Sequence, residues 1–206
     1  MSRPLMKHDT REKIIRASVK LFAEKGYKAT TIREIAKLAQ VNVALINYHF
    51  ENKQNLYSQV VQDNWHWLDA RMKEIALGCG ADSNLFATRM FELLKSNSHQ
   101  AMNSFKILLN EDIQIPTPLA SGPPGGQYLL QIIRDEVGEK ITEDACQWAM
   151  QAIFAQVVHL GIMTSSVIAR NNASTHFSSQ NLKLHISLLV KAILSYIKSA
   201  PSGRLL

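Results

Sequence analysis

The sequence predicts an all-α chain, and three observations carry that prediction. Apolar residues recur three and four positions apart through nearly every segment, with no run of strict two-residue alternation. Residues with cap chemistry, Thr31, Asn42, Asn52 and Thr142, stand at the head of four of these segments. The turn formers gather between segments: IPTPLASGPPGG, residues 115–126, holds four of the six prolines and three of the nine glycines, which makes it a loop.

The elements follow in order. A first helix begins near Asp9 or Thr10, places Ile14, Ala17, Leu21 and Phe22 on one stripe and stops at Gly26, where a left-handed C-terminal residue costs least. Thr31 and Glu34 form a T-x-x-E capping box that opens a second helix of about two to three turns, with Ile32, Ile35, Ala36 and Ala39 as its apolar face. After the turn AQV, Asn42 caps a third short helix running through His49. Asn52 caps a fourth, long one from Lys53 towards Leu77. The break GCGADS precedes helices over about 84–97 and 99–114. Beyond the proline-rich loop come a helix over about 127–137 and a long apolar one, headed by Thr142, Glu143 and Asp144, that runs to about 169. The polar stretch RNNASTHFSS separates it from a last helix over about 180–199. The expected total is about nine helices, three short ones followed by six longer, without repeats or heptads.

Charge divides the chain more sharply than hydropathy does. Residues 1–53 carry 11 Lys and Arg against 5 Asp and Glu, while residues 54–206 carry 12 of each, so the whole excess of six positive charges lies in the first quarter. A polyanion is bound largely by neutralising phosphates and releasing counterions, so a basic segment on a neutral body points to a nucleic-acid-binding module attached to a sensing or partner-binding domain. A solvated basic tail is the plainer alternative. Cys79 and Cys146 lie in no metal-ligand or redox spacing and read as packing residues. No stretch approaches the roughly 18 consecutive apolar residues of a membrane span. The start, MSRPLMKHDTREK, lacks the apolar core of a secretory signal, so a soluble cytoplasmic protein is expected.

Two short helices joined by a tight turn form a helix-turn-helix, in which the second helix enters the major groove and the first crosses the backbone. Val41, Ile46 and Phe50 can face the first helix of the chain, leaving Val43, Ala44, Asn47 and Tyr48 on the opposite surface. Small Val43 and Ala44 permit close approach and contact with thymine methyls, Asn47 suits a base edge, and Tyr48 and His49 reach phosphates. Lys53, at the start of the fourth helix, adds its charge to the free N–H groups of a helix terminus. Thr31 and Arg33 offer the same kind of contact from the second helix.

KLFAEKGYKATTIREIAKLAQVNVALINYHFENKQNLY, residues 20–57, resembles the DNA-binding domain of the TetR/AcrR family of bacterial transcriptional repressors. The likeness rests on several elements in one order: LFAEKGY, TTIREIA, V-N-V-A opening the recognition helix, then YHF, an Asn-Lys pair and Leu56. It covers roughly residues 8–60. By position, Thr31, Arg33, Asn42, Val43, Ala44, Asn47, Tyr48, His49 and Lys53 match places where the family touches DNA or caps the helix that does. Gln40 stands where the family turn usually has Gly, Asn42 replaces the common Ser or Thr cap, and Asn47 replaces a frequent aromatic residue. The resemblance implies a homodimer reading the half-sites of a palindromic operator. It divides the chain into a DNA-binding domain, residues 1–53, and an all-helical effector-binding and dimerisation domain, residues 54–206, joined through the helix over 53–77.

The second region has no comparable motif, and its reading rests on helix pattern and family likeness. Family members hold small, mostly hydrophobic molecules among the middle helices. Trp65, Met72, Phe86, Met90, Met102, Phe105, Trp148 and Phe154, with polar Gln151 and His159, are the candidate lining, although residue for residue ordinary helical core is the better reading of the apolar ones. The last two helices carry apolar faces suited to a four-helix bundle between two copies: Val157, Leu160, Gly161 and Thr164 in one, Leu188, Leu189, Ala192, Ile193 and Tyr196 in the other. Burial within one chain is the alternative for these.

The leading expectation is therefore a dimeric DNA-binding repressor whose affinity responds to a small hydrophobic or amphipathic effector, with no cofactor, catalytic residue or metal site. An architectural or effector-independent DNA binder remains open. A small all-α enzyme or carrier is disfavoured, because the chain has no G-x-S-x-G nucleophile, no phosphate-cradling glycine loop and no H-E-x-x-H pair.

Overall fold

The structure, a computed structural model, describes residues 4–96, 123–165 and 178–199. Among the described residues there are eight helices and no strand: α1 (Pro4–Ala29), α2 (Ile32–Ala39), α3 (Val43–Phe50), α4 (Lys53–Leu77), α5 (Ser83–Ser96), α6 (Gly126–Val137), α7 (Glu143–Ser165) and α8 (Ser179–Ser199). The helix expected over 99–114 and most of the loop over 115–126 lie outside the described residues. The first helix starts earlier than the cap pattern suggests, at Pro4, whose missing N–H costs nothing in a first turn. Gly26 breaks it as expected, at φ 78°. The buried Thr30 hydroxyl then donates to the carbonyls of Leu21 and Gly26, at 3.2 and 2.7 Å.

The chain divides into two compact units, with the division at Trp67 and Leu68, inside α4. This falls later than the expected boundary at residue 53. The reason is that Leu56, Tyr57, Val60 and Val61 on the first turns of α4 belong to the same buried cluster as Ile14, Phe22, Ile35, Ile46 and Phe50. One long helix and two of eight residues do not enclose enough apolar surface alone. The fourth completes their core.

In the second unit α5 packs against α6, α7 and α8, α6 also packs on α7, and α7 on α8. Phe86, Met90, Phe91, Leu129, Ile133, Ile153 and Ile186 are fully buried there. Close approach of α5 and α7 depends on Gly161, where an added Cβ would lie 2.9 Å from Leu94 Cδ1. Asp69, on the second half of α4, accepts from the Gly125 N–H at 3.2 Å and the Tyr128 hydroxyl at 3.0 Å. Arg134 of α6 meets Glu143 of α7 through two hydrogen bonds, one of them from Nε at 2.9 Å. Both cysteines are free and buried, and burial pushes their thiols up.

Candidate nucleic-acid interface

The first unit builds one outward-facing surface from α2, α3 and the start of α4. Helix α2 is fixed at its head by the expected capping box. The Thr31 hydroxyl accepts from the Glu34 N–H at 3.2 Å and donates to Glu34 Oε2 at 2.9 Å, while the Thr31 N–H donates to the same oxygen at 2.8 Å. Lys25 adds an ion pair to Glu34 at 2.6 Å, and together these hold the Glu34 carboxyl down at about 2. The consequence for Thr31 is specific. Its hydroxyl and its N–H are engaged in holding the helix terminus, so its position on this surface is set by capping.

The turn to α3 is made by Gln40 at φ 56°, ψ 45°, a left-handed conformation carried by a residue with a side chain. Its N–H closes back on the Lys37 carbonyl at 3.3 Å. Asn42 then caps α3, accepting from the Ala44 N–H at 2.9 Å. Ile46, 0% exposed, and Phe50 anchor the inner side of the helix. Ala44, Asn47 and Tyr48 lie outward, Tyr48 at 66% exposure. Val43 is half-buried and leans on the core, so its place is at the edge of the exposed face and not within it. His49 is also half-buried, its ring between those of Tyr48 at 5.2 Å and Phe50 at 6.1 Å.

Glu51 joins α3 to α4 at φ 66°, ψ −51°, and the Asn52 N–H donates to the Phe50 carbonyl at 2.7 Å, a tight γ-turn. Asn52 caps α4 by accepting from the Asn55 N–H at 2.8 Å. One residue on, Lys53 lays its ammonium over the Tyr27 ring, 4.1 Å from the centroid, and partial burial lowers its pKa. Arg33 is exposed on α2, and Arg11 of α1 lies 5.5 Å over the Phe50 ring. The surface therefore joins small, amide and aromatic groups on a thin helix to cations on either side. That combination suits base edges flanked by phosphates.

Sequence reasoning passed over two residues here. Leu45 is 40% exposed beside Tyr48, a placement its three-residue spacing from Tyr48 could have signalled. Tyr27, to which the motif assigns no role, carries Lys53.

The candidate effector residues separate. Met72, Phe86, Met90 and Phe154 are buried in the second unit, and Trp65 is buried at the end of the first. Trp148, Gln151 and His159 lie on the outside of α7, the faces opposite those that pack, and do not join an internal lining within this chain. Met102 and Phe105 lie outside the described residues.

The candidate dimer residues separate too. Val157, Leu160, Gly161 and Ile193 are enclosed by the chain's own helices, while Thr164 and Leu189 are half-buried. Leu188, Ala192 and Tyr196 are outward, joined by Leu184 and by Trp148, whose ring lies 5.8 Å from that of Tyr196.

An all-α chain whose basic N-terminal unit presents a capped recognition helix is a helix-turn-helix DNA-binding protein. The family profile for bacterial regulatory proteins of the tetR family matches residues 14–60. A probable HTH-type transcriptional regulator of Bacillus subtilis, YttP, is 30% identical over 143 residues, covering 67% of this chain and 69% of that protein. The negative regulator of the biofilm operon icaADBC in Staphylococcus aureus, IcaR, is 39% identical over 59 residues, which are 29% of this chain and 32% of that protein. The crystal structure of PfmR, a TetR family transcriptional regulator from Thermus thermophilus, superposes with a TM-score of 0.61 at 19% identity, covering 89% of this chain and 95% of that one. The chain belongs to the TetR family of transcriptional regulators. It is a DNA-binding regulator and not an enzyme.

Proposed function

We propose that this protein is a homodimeric transcriptional repressor of the cytoplasm that reads a palindromic operator through α3 and releases it when a small hydrophobic or amphipathic molecule binds the second unit. The observation that carries the proposal is the α3 surface: Ala44, Asn47 and Tyr48 exposed on a helix anchored by Ile46 and Phe50. Asn47 reads a base edge, Ala44 allows the approach, and Tyr48, Arg33 and Lys53 meet the backbone. Repression is supported by the name of the IcaR relative, a negative regulator.

Dimerisation is supported by the outward apolar stripe of Trp148, Leu184, Leu188 and Tyr196, because a contiguous apolar face of that kind marks an interaction site. Two copies related by a two-fold axis would each contribute α7 and α8, and the same axis would place two α3 helices on symmetric half-sites. An effector acts by binding one spacing of the two heads better than the other. Met72, Phe86, Met90 and Phe154 are the apolar groups nearest to hand for it.

Selection of genomic fragments with purified protein tests the reading. A palindromic site should be recovered, and Asn47→Ala with Tyr48→Ala should remove about 1 to 3 kcal/mol of discrimination between that site and a scrambled one. Recovery of no preferred sequence, with binding that responds only to salt, would replace the repressor by an architectural binder. Sedimentation of Leu188→Asp should show monomer where the parent chain is dimeric; a monomeric parent ends the dimer proposal.

A further inference from the structure

Lys53 is held by an aromatic ring at closer range than Arg11, which lies 5.5 Å over Phe50. Lys13, Arg16 and Lys25 are each engaged by a carboxylate, from Asp9, Glu12 and Glu34. Among the described residues no carboxylate lies within ion-pair distance of Lys53, and its ammonium rests on the Tyr27 ring at 4.1 Å. That ring is itself fixed. Tyr57, one turn along α4 from Lys53 and 1% exposed, meets it edge-on at 5.1 Å, and buried Phe22 stacks on it at 6.2 Å. Glu34, already paired with Lys25, adds a longer-range attraction that favours the charged form of Lys53.

A lysine that meets a phosphate ordinarily does so from a flexible four-carbon stem and loses side-chain freedom on becoming ordered. An aromatic face attracts an ammonium without consuming a specific hydrogen-bond acceptor, so the N–H donors that point away from the ring stay available. The ring also displaces part of the water that a phosphate would otherwise have to strip. Resting on a clamped ring, Lys53 is ordered before DNA arrives.

We propose that Tyr27 is a positioning residue for DNA-backbone recognition, its clamped ring holding the Lys53 ammonium at the head of α4 in the place where it meets a phosphate. The proposal rests on Lys53 touching the backbone, as in the reading above, and the test separates the two. Because phosphate contacts are independent of sequence, a labelled mixed-sequence duplex suffices as the probe, titrated across a range of salt concentrations. Lys53→Met should weaken binding and lower the salt slope by about one counterion. Tyr27→Phe, which keeps the ring, should bind within about twofold of the parent, while Tyr27→Leu should lose about two- to fivefold with the slope retained. In the Lys53→Met background Tyr27→Leu should cost nothing more.

An equal loss in both backgrounds would make Tyr27 a packing residue only and overturn the proposal. If Lys53→Met leaves affinity and slope unchanged, Lys53 does not touch DNA, and both proposals about it fail while the assignment of α3 stands. A readout without DNA closes the test: the ε-methylene protons of Lys53 should show an upfield ring-current shift in the parent and in Tyr27→Phe, and lose it in Tyr27→Leu. An unshifted signal in the parent also overturns the proposal.

Discussion

The two units solve opposite problems with the same element. The first has the smaller core, and part of it backs the exposed helix directly: Ile46 and Phe50 are on the inner side of the helix whose outer side carries Asn47 and Tyr48. The second has the larger set of buried side chains, and its distinctive surface is apolar, with Trp148, Leu184, Leu188 and Tyr196 outward. In a thin unit packing and function share residues; in a thick one they separate. Polar caps locate the first kind of surface, and only packing locates the second.

That contrast can be broken most directly in the cores. Ile46→Ala and Met90→Ala both truncate fully buried side chains, and each should cost about 2 to 5 kcal/mol in denaturant unfolding. Their effect on DNA should differ: Ile46→Ala releases α3 and abolishes duplex binding, whereas Met90→Ala, under conditions where it remains folded, binds within about twofold of the parent. Equal losses of binding would show that the units are not functionally separable. Gly161→Val probes the thick unit from the other direction. Its side chain would drive into Leu94 and should destabilise by about 1 to 3 kcal/mol, read as a lower denaturation midpoint, with the DNA-reading residues untouched.

Smaller effects sharpen the description of the first unit. Thr31→Ala removes the capping bond to Glu34 and should cost about 1 kcal/mol in thermal unfolding, because the N-terminal donors of α2 lose their partner. Gln40→Gly should raise stability by less than about 1 kcal/mol, since glycine accepts the left-handed turn without a Cβ penalty but has more freedom to lose on folding. The last prediction concerns pH. The Glu34 carboxyl is lowered to about 2 from an ordinary 4.5, first by Lys25 and then by the Thr31 backbone and hydroxyl. A depressed carboxyl contributes stability that is full above its unfolded pKa and is lost as the pH falls from about 4.5 through about 2. Glu34→Gln should flatten that part of the acid limb and leave stability at pH 7 to 9 parallel to the parent.

Legibility followed the same division. Helix heads at Thr31, Asn42, Asn52 and Thr142 could be read directly, because a cap is a contact between residues two or three positions apart. The anchored and exposed sides of α3 could be read as well, from its spacing. Val43 was less legible: its half-burial depends on how closely the neighbouring helices approach. The Thr31 hydroxyl carried two readings in the sequence, cap and phosphate contact, and its bonds to Glu34 show it as the cap. Tyr27 and Lys53 stand 26 positions apart, and nothing in the motif marks their contact.

By itself the sequence determined the all-α class, the order and limits of most helices, and the helix-turn-helix with its exposed side, since these arise from local periodicity, caps and turn residues. Tertiary structure alone decided which residues of the last helices are outward. Val157, Leu160 and Ile193 were as apolar as Leu188 and Tyr196, and an apolar residue carries no mark of which neighbour will cover it. Hydrophobic burial is non-directional, so where a helix is apolar on more than one side, only the positions of its neighbours decide which side turns in.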